Sequence, residues 1–207
     1  MTTKKITIFG LFVLFGLLTL QVKISHLAGS KATFTLFDSF APIAGAFLGG
    51  LPGALAVLLM QALNLVWHKT YELGFIIRLM PPVFAVLYFA RRTKLNLIVP
   101  IIAIILFNLN PIGRTVWFYS LFWLIPVACY FYQDKFLLAR AWGATFTAHA
   151  VGGVLWVYAF HLPREVWIAL IPVVIIERAL FGAGIAINYI LLKRLEATVE
   201  ESAYAVH

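Results

Sequence analysis

The sequence predicts an all-α fold, a single-domain bundle of six to eight transmembrane helices, from three observations. Hydrophobic residues make up 63% of the 207 residues and charged residues only 12%, whereas a soluble domain carries about 45–50% apolar and roughly 25% charged residues. The apolar residues form eight long segments. Lys and Arg are scattered in small clusters between these segments, which is typical of topology signals and excludes a nucleic-acid-binding face.

The length of each apolar segment indicates whether it can span the bilayer, since a helix needs about 20 residues to cross it. The first segment has a basic start but no small-x-small cleavage site, so we interpret it as a span and not as a signal peptide. The second and third are short and share the turn "GGLPG", so one of them can enter the bilayer without crossing it. The segments are Ile6–Val22, Leu36–Gly50, Leu51–Trp67, Leu73–Ala90, Leu95–Ile112, Thr115–Tyr132, Trp142–Phe160 and Trp167–Leu192.

The distribution of basic residues predicts the orientation of the chain. With eight spans and the amino terminus inside, nine basic residues, Lys4 and Lys5 among them, fall inside and five outside, once Arg78 and Arg178 are set aside as embedded. Since Lys and Arg are enriched in cytoplasmic loops, we expect a cell-membrane protein with both termini in the cytoplasm. Residues 1–195 form the transmembrane domain, and residues 196–207 form a polar tail.

Two charges lie side by side in "PVVIIERALFGAG", within the last apolar segment. Glu177 is ten residues after Trp167, which places it about 15 Å deep at about 1.5 Å per residue, near the middle of a hydrocarbon core of about 30 Å. A charge there costs roughly 2.5–3.5 kcal/mol on insertion scales. We therefore expect Glu177 and Arg178 to face the bundle interior. Adjacent helical residues point about 100° apart, so we expect each charge to have a partner on another helix.

Asp38, Arg78 and Arg114 are the candidate partners. We expect Glu177 to pair with Arg78 or Arg114, and Arg178 to pair with Asp38. Three alternatives stay open. The Glu177–Arg178 pair can be purely structural, Asp38 can be solvated at the interface, and the two other arginines can extend outward to the headgroups.

Polar residues of several segments fall on single helix faces, which predicts a central polar pocket walled by aromatic rings. The same residues can instead serve only to join helices, and a lone His is commonly a packed hydrogen-bonding residue. We expect the fifth helix to end near Asn108 and Asn110, just before Pro111. The shared faces are Gln61, Asn64 and His68 in the third segment, Thr145, His149 and Trp156 in the seventh, and Glu177, Phe181, Gly184 and Asn188 in the last.

The stretch "FTLFDSFAPIAGAFLGGLPGALAVLLMQ" carries small residues four apart at Ala41, Gly45, Gly49 and Gly53. Such a ridge lets helices approach closely, within the chain or between subunits. Over residues 34–64 the chain resembles the second-to-third helix region of the substrate-binding (S) subunits of energy-coupling-factor transporters. Those proteins show a charged start, a Gly-rich hairpin and a second apolar helix in this order.

The resemblance implies a function and partners. Members of that family bind a vitamin or related micronutrient in a pocket on the outer side, and work with a transmembrane coupling subunit and two ATPases. They commonly have six helices, and their first helix carries Ala-x-x-x-Ala, whereas this first segment offers Gly10 and Gly16. A metal-binding amino-terminal histidine is missing from this sequence, so the nickel and cobalt branch is not expected.

We therefore expect a membrane-embedded protein for uptake of a small molecule, with lipid as its surroundings and without cofactor, catalytic residues or metal ligands. Arg78, Glu177 and Arg178 are the central binding residues. Two alternatives are a haem- or metal-binding redox protein using His26, His68 or His161, and an intramembrane enzyme using Glu177 and His149. The secondary binding candidates are Asp38, Arg114, Asn108, Asn110, His149, Gln61 and Asn64.

Overall fold

A computed structural model describes residues 3–204, with side chains for residues 9–198. Most of this range is helical, so the predicted all-α class is confirmed. The predicted cytoplasmic side chains of Lys4 and Lys5, and residues 205–207 of the predicted tail, lie outside the described part. The helices are α1 (Thr3–Gln21), α2 (Phe37–Phe40), α3 (Ala44–Phe47), α4 (Gly50–His68), α5 (Leu73–Ile77), α6 (Met80–Ala90), α7 (Leu95–Leu109), α8 (Pro111–Thr115), α9 (Leu124–Tyr130), α10 (Leu137–Phe160) and α11 (Arg164–Tyr204).

Three helical stretches among the described residues are long and apolar enough to cross a membrane, Gly50–His68, Leu73–Ala90 and Arg164–Thr198. The second of these combines α5 and α6. Shorter apolar helices occupy Phe9–Gln21, Leu95–Leu109 and Trp117–Tyr130. The length and composition of these helices fit a membrane protein.

The outer face of α4 shows why the molecule suits lipid. Leu51, Leu55, Leu59 and Leu63 are each more than half exposed, and their four-residue spacing places them on one face. Soluble monomers rarely expose a continuous apolar surface of this kind. The opposite face, with Val57 and Met60, is buried in the core.

Helix α10 lies at the centre of the bundle, where it packs against α6, α7, α9 and α11. Small residues make this possible. A side chain at Gly143 would overlap the ring of Tyr88, and one at Gly153 would overlap the ring of Trp123. The two glycines therefore let large aromatic residues from neighbouring segments pack directly onto the α10 backbone.

The small-residue ridge packs within the chain. The backbone of Gly45 lies against Val86 and Ala90 of α6, and Gly53 lies against Ala44. Gly49 has a φ of 89°, a conformation that glycine adopts without the steric cost of a Cβ atom, and it forms the turn between α3 and α4. These contacts indicate that the small-residue ridge serves helix packing within the chain rather than contact between subunits.

The predicted second segment is not one helix. Strands β1 (Lys23–His26) and β2 (Thr33–Thr35) form an antiparallel hairpin before it, and α2, a 3₁₀ turn at Ala41–Ile43 and α3 follow. At about 1.5 Å per residue, the eleven residues 37–47 span about 16 Å, half of a core of about 30 Å. The prediction of a helix-only chain missed the hairpin.

The hairpin folds over one end of the bundle. The Ser25 hydroxyl donates to Glu177 Oε1 at 2.5 Å, and the Trp156 indole N–H donates to the Ala28 carbonyl at 2.9 Å. These bonds attach the hairpin to α11 and α10. The predicted sixth segment also starts irregularly, as a 3₁₀ helix at Trp117–Trp123, before it continues as α9.

Candidate functional site

A cavity of about 110 Å³ lies beneath the hairpin. Its walls come from the hairpin, Asp38, the chain around the start of α6, Tyr119 of the 3₁₀ helix, the second half of α10 and the first half of α11. All of these parts belong to the same end of the bundle. Trp156 and Trp167 supply flat apolar wall, and Asp38, Arg78, Glu177 and Arg178 supply charge.

Arg78 and Asp38 form a closed ion pair at one wall of the cavity. Arg78 Nη2 donates to both Asp38 oxygens at 2.9 Å, and its Nη1 donates to the Thr33 carbonyl. Asp38 Oδ2 also accepts from the Thr35 backbone N–H at 2.8 Å. Both side chains are mostly buried, with exposures of 12% for Arg78 and 11% for Asp38. This pair holds the hairpin against the start of α6.

Arg178 is a buried charged residue whose hydrogen-bond donors are only partly satisfied. Its side chain is 3% exposed, and its guanidinium lies 4.7 Å from the ring centroids of Phe34 and Phe181. Nη1 donates to Thr145 Oγ1 at 3.3 Å. Among the described residues, Nε and Nη2 have no hydrogen-bond partner. A buried guanidinium with unused donors is suited to bind an acceptor group of a ligand.

Glu177 lies next to Arg178, but its hydrogen bond is to the hairpin. Its Oε1 accepts from Ser25, and its Oε2 is 3.6 Å from Arg178 Nη2, too far for a good hydrogen bond. The predicted pairings were therefore wrong. Arg78 pairs with Asp38, and the ionic neighbour of Arg178 is Glu177 itself. The divergence of adjacent helical residues was overstated, because both side chains are long enough to bend toward each other.

His149 joins two aromatic residues at the floor of the cavity. The Trp123 indole N–H donates to His149 Nδ1 at 3.1 Å, and His149 Nε2 is 3.0 Å from the Tyr119 hydroxyl. The predicted shared face of α10 is confirmed, since Thr145 bonds Arg178 while His149 and Trp156 line the cavity.

A second cavity, of about 270 Å³, holds the polar face of α4. Asn64 accepts from Gln21 at 2.8 Å, His68 lies 3.0 Å from the same glutamine, and Gln61 donates to the Leu79 carbonyl at 3.2 Å. Of the described residues, Arg78 borders both cavities. Gln61 and Asn64 thus share a face as predicted, but they lie in a different chamber from Arg178.

The rim of this second cavity carries an exposed ion pair. Lys31 Nζ donates to Glu72 Oε1 at 2.9 Å, and this hydrogen bond raises the pKa of Lys31 above its ordinary value. Both side chains are more than half exposed, so the pair adds little to stability. It joins the hairpin turn to the chain just before α5.

Three candidates lie away from both cavities. Asn110 is the N-cap of α8, since its Oδ1 accepts from Ile112 N at 2.9 Å and Gly113 N at 3.2 Å. Asn108 donates to Ser120 Oγ at 3.0 Å. Arg114 lies in the last turn of α8 and lines neither cavity. An Asn directly before a Pro is a helix-start signal, which explains Asn110 without a binding role.

The histidines considered for haem are spread over separate environments. His26 borders the hairpin-covered cavity, His68 bonds Gln21 in the other, and His161 ends α10 with a φ of 48°. Both ring nitrogens of His149 are engaged. Over residues 9–198, three or more His, Cys, Asp or Glu side chains nowhere come together in a way that could hold a metal.

Several cavity residues were missed by sequence reasoning. Phe34 lines the cavity and Ser25 donates to Glu177, and both residues come from the hairpin. Its strands "KISH" and "TFT" are short, and the turn residues of "AGSK" between them are the main sequence signal for a hairpin here. Tyr119 and Trp167 were not among the predicted site residues. Aromatic composition alone does not separate rings that face lipid from rings that face a cavity.

Comparison with known proteins shows an archaeal relative of the chain and does not show a family. No protein-family model and no solved structure matches the chain. The chain is 28% identical to an uncharacterized protein of the archaeon Methanocaldococcus jannaschii over 193 residues, which covers 83% of this chain and 63% of that protein. The chain therefore spans less than two thirds of the length of this relative.

Proposed function

We propose that the chain is a cell-membrane subunit that binds one small organic acid beneath the hairpin and takes part in its uptake, as an S subunit of an energy-coupling-factor transporter does. The substrate class is a vitamin or related micronutrient. The partners are a transmembrane coupling subunit and two ATPases, in keeping with the resemblance over residues 34–64.

The membrane arrangement is a bundle of six to eight spans with both termini in the cytoplasm. The eight apolar segments coincide with helical stretches, and the half-length segment 37–47 is one that can enter the bilayer without crossing it. With the amino terminus inside, the hairpin after α1 is on the outer side, and so is the cavity. Substrate would then enter from outside the cell.

Arg178 carries the proposal. Burying a guanidinium with unused donors is costly unless an acceptor reaches it, and Arg178 is one of the residues lining a cavity that Trp156, Trp167 and Tyr119 also line. A carboxylate would accept from Arg178 Nε and Nη2 in a fork geometry. The aromatic walls favour a flat apolar body behind that carboxylate.

The test is ligand-induced stabilisation of the purified protein. We expect at least one compound from a library of small carboxylates to raise the melting temperature in detergent. Arg178→Lys should abolish that rise, because an ammonium group lacks the planar fork. The proposal would be wrong if no compound in the library stabilises the wild type, or if the lysine variant keeps the full ligand-induced rise in melting temperature.

Arg140→Lys is the matched control. Arg140 is also a partly buried arginine, but it donates to the Phe89 carbonyl at 2.5 Å and the Ala90 carbonyl at 2.9 Å, away from the cavity. This variant should keep the ligand-induced rise even if its own melting temperature falls. Purification from native membranes, with protein and metabolite identified by mass spectrometry, tests for the coupling subunit, the ATPases and the substrate together.

A further inference from the structure

The hydrogen bonds of His149 determine where its proton is. Trp123 Nε1 carries a hydrogen and can only donate, and it points at His149 Nδ1 at 3.1 Å. Nδ1 must therefore be the acceptor. In an imidazolium, or in the tautomer with a proton on Nδ1, the Nδ1–H of His149 would face the Nε1–H of Trp123, and the two donors could not form a hydrogen bond. His149 is thus neutral with its proton on Nε2.

This tautomer fixes the role of Tyr119. His149 Nε2–H donates to the Tyr119 hydroxyl oxygen at 3.0 Å, so the hydroxyl proton is not used toward the histidine. Within the described part of the chain, that proton has no other acceptor. Tyr119 is 2% exposed and borders the hairpin-covered cavity. Its O–H is therefore free to donate into the cavity.

We propose that the Tyr119 hydroxyl is a second ligand-binding donor, and that His149 and Trp123 are positioning residues that aim it. This inference rests on the proposed function of the same cavity. Of the polar groups left for a ligand, Arg178 Nε and Nη2 and Tyr119 O–H are donors that need acceptors, and Glu177 Oε2 is an acceptor beside Arg178. The ligand must then carry two acceptors, an acidic group for Arg178 and a neutral ring nitrogen or oxygen for Tyr119.

The size of the cavity limits the rest of the ligand. A cavity of about 150 Å³ accepts benzene in another protein, and this one measures about 110 Å³. The cavity is smaller than the one that holds benzene, so the largest flat body that we assign to it is a single ring that partly reaches the cavity mouth. The ligand class is therefore a one-ring heteroaromatic monocarboxylate.

The first experiment needs no ligand. Nitrogen-15 NMR of histidine-labelled protein in detergent, with the His149 signals assigned by comparison with His149→Gln, reads the tautomer directly. We expect a neutral ring with the proton on Nε2 at neutral pH. Trp123→Phe, which removes the indole donor, should shift the population toward the Nδ1–H tautomer. A wild-type ring that is protonated on Nδ1 or doubly protonated would overturn the inference, whatever the protein binds.

The second experiment measures ligand selectivity by calorimetry, with benzoate and the three pyridine monocarboxylates. These compounds share size and charge but differ in the ring acceptor. One pyridine isomer should bind about three- to tenfold more tightly than benzoate, as expected for one net hydrogen bond. Tyr119→Phe should bring that ratio close to one. A preserved ratio in the variant, or a wild type that binds none of the four compounds, would overturn the inference.

Tyr88→Phe is the matched control for the second experiment. The Tyr88 hydroxyl is buried and donates to the Pro126 carbonyl at 2.7 Å, outside the cavity. Its loss should leave the pyridine-to-benzoate ratio unchanged. If other small carboxylates stabilise the wild type while all four ring compounds fail, the proposed function stands and only the ligand class assigned here falls.

Discussion

Arg78 donates to both carboxylate oxygens of Asp38 at 2.9 Å, and this pair connects the chain after the hairpin to the start of α6. Because both groups are mostly buried, neither can be removed without leaving the other uncompensated. The pair is therefore a structural element beneath the hairpin, and Arg178 remains the cation available to a ligand.

Asp38→Ala should destabilise the protein by about 3–5 kcal/mol, the usual cost of leaving a buried charge without its partner. Thermal unfolding in detergent, or unfolding by sodium dodecyl sulfate, measures the loss. The double variant Asp38→Ala/Arg78→Met should be more stable than Asp38→Ala alone, because it removes the isolated cation. Glu72→Gln breaks the exposed pair with Lys31 and is the control; a loss as large as that of Asp38→Ala would contradict the argument.

The double variant Arg178→Met/Glu177→Gln should make the ligand-free protein more stable by about 1 kcal/mol, because uncharged side chains replace both the buried cation with unused donors and its ionic neighbour. The same variant should lose ligand binding. Melting temperatures with and without ligand test both effects. Arg140→Met is the comparison, and it should lower the melting temperature, since the carbonyls of Phe89 and Ala90 lose their donors. Equal losses for the two variants would show that Arg178 is not under-bonded.

Gly45→Ala should destabilise the fold by about 1–3 kcal/mol, as overpacking does. The added Cβ atom would overlap the Val86 carbonyl oxygen and the Ala90 backbone, and backbone atoms cannot move aside as side chains do. Gly10→Ala is the control, since a Cβ atom there meets nothing within 4 Å. Alanine at a free helical position should stabilise α1 by about 0.5–1 kcal/mol. Similar effects at both glycines would refute the close contact at Gly45.

Ser25→Ala should loosen the hairpin without unfolding the bundle, because it removes the bond to Glu177 at 2.5 Å. Hydrogen–deuterium exchange followed by mass spectrometry should show faster exchange in residues 23–35. Exchange in α7, which lies away from the hairpin, should not change. Unaltered exchange in the hairpin would mean that this bond does not hold it in place.

The helical architecture could be predicted from the sequence because it depends on local features. Long apolar segments determine where helices form, and the depth of Glu177 and Arg178 determined that both must avoid lipid. The shared face of Thr145, His149 and Trp156 followed from helical periodicity alone. These properties are local, so they can be read without knowing which helices touch.

The pairing of charges and the division into two cavities could not be predicted in the same way. Asp38 lies just after the hairpin, where it meets Arg78, and a hairpin of seven strand residues gives little signal in an apolar chain. Asn110 was assigned to the site because it is polar in a hydrophobic setting. A helix cap needs the same residue type, so only its geometry separates the two roles.

The hairpin contacts also bear on the order in which the protein is made. Ser25 is separated by 152 residues from Glu177, and Ala28 by 128 residues from Trp156. A ribosome extends a chain at roughly 5–20 residues per second, so the strands emerge on the order of ten seconds before the helices that anchor them. The hairpin-covered cavity is thus completed only after residue 177 has been made, and a nascent chain interrupted before Glu177 would lack it.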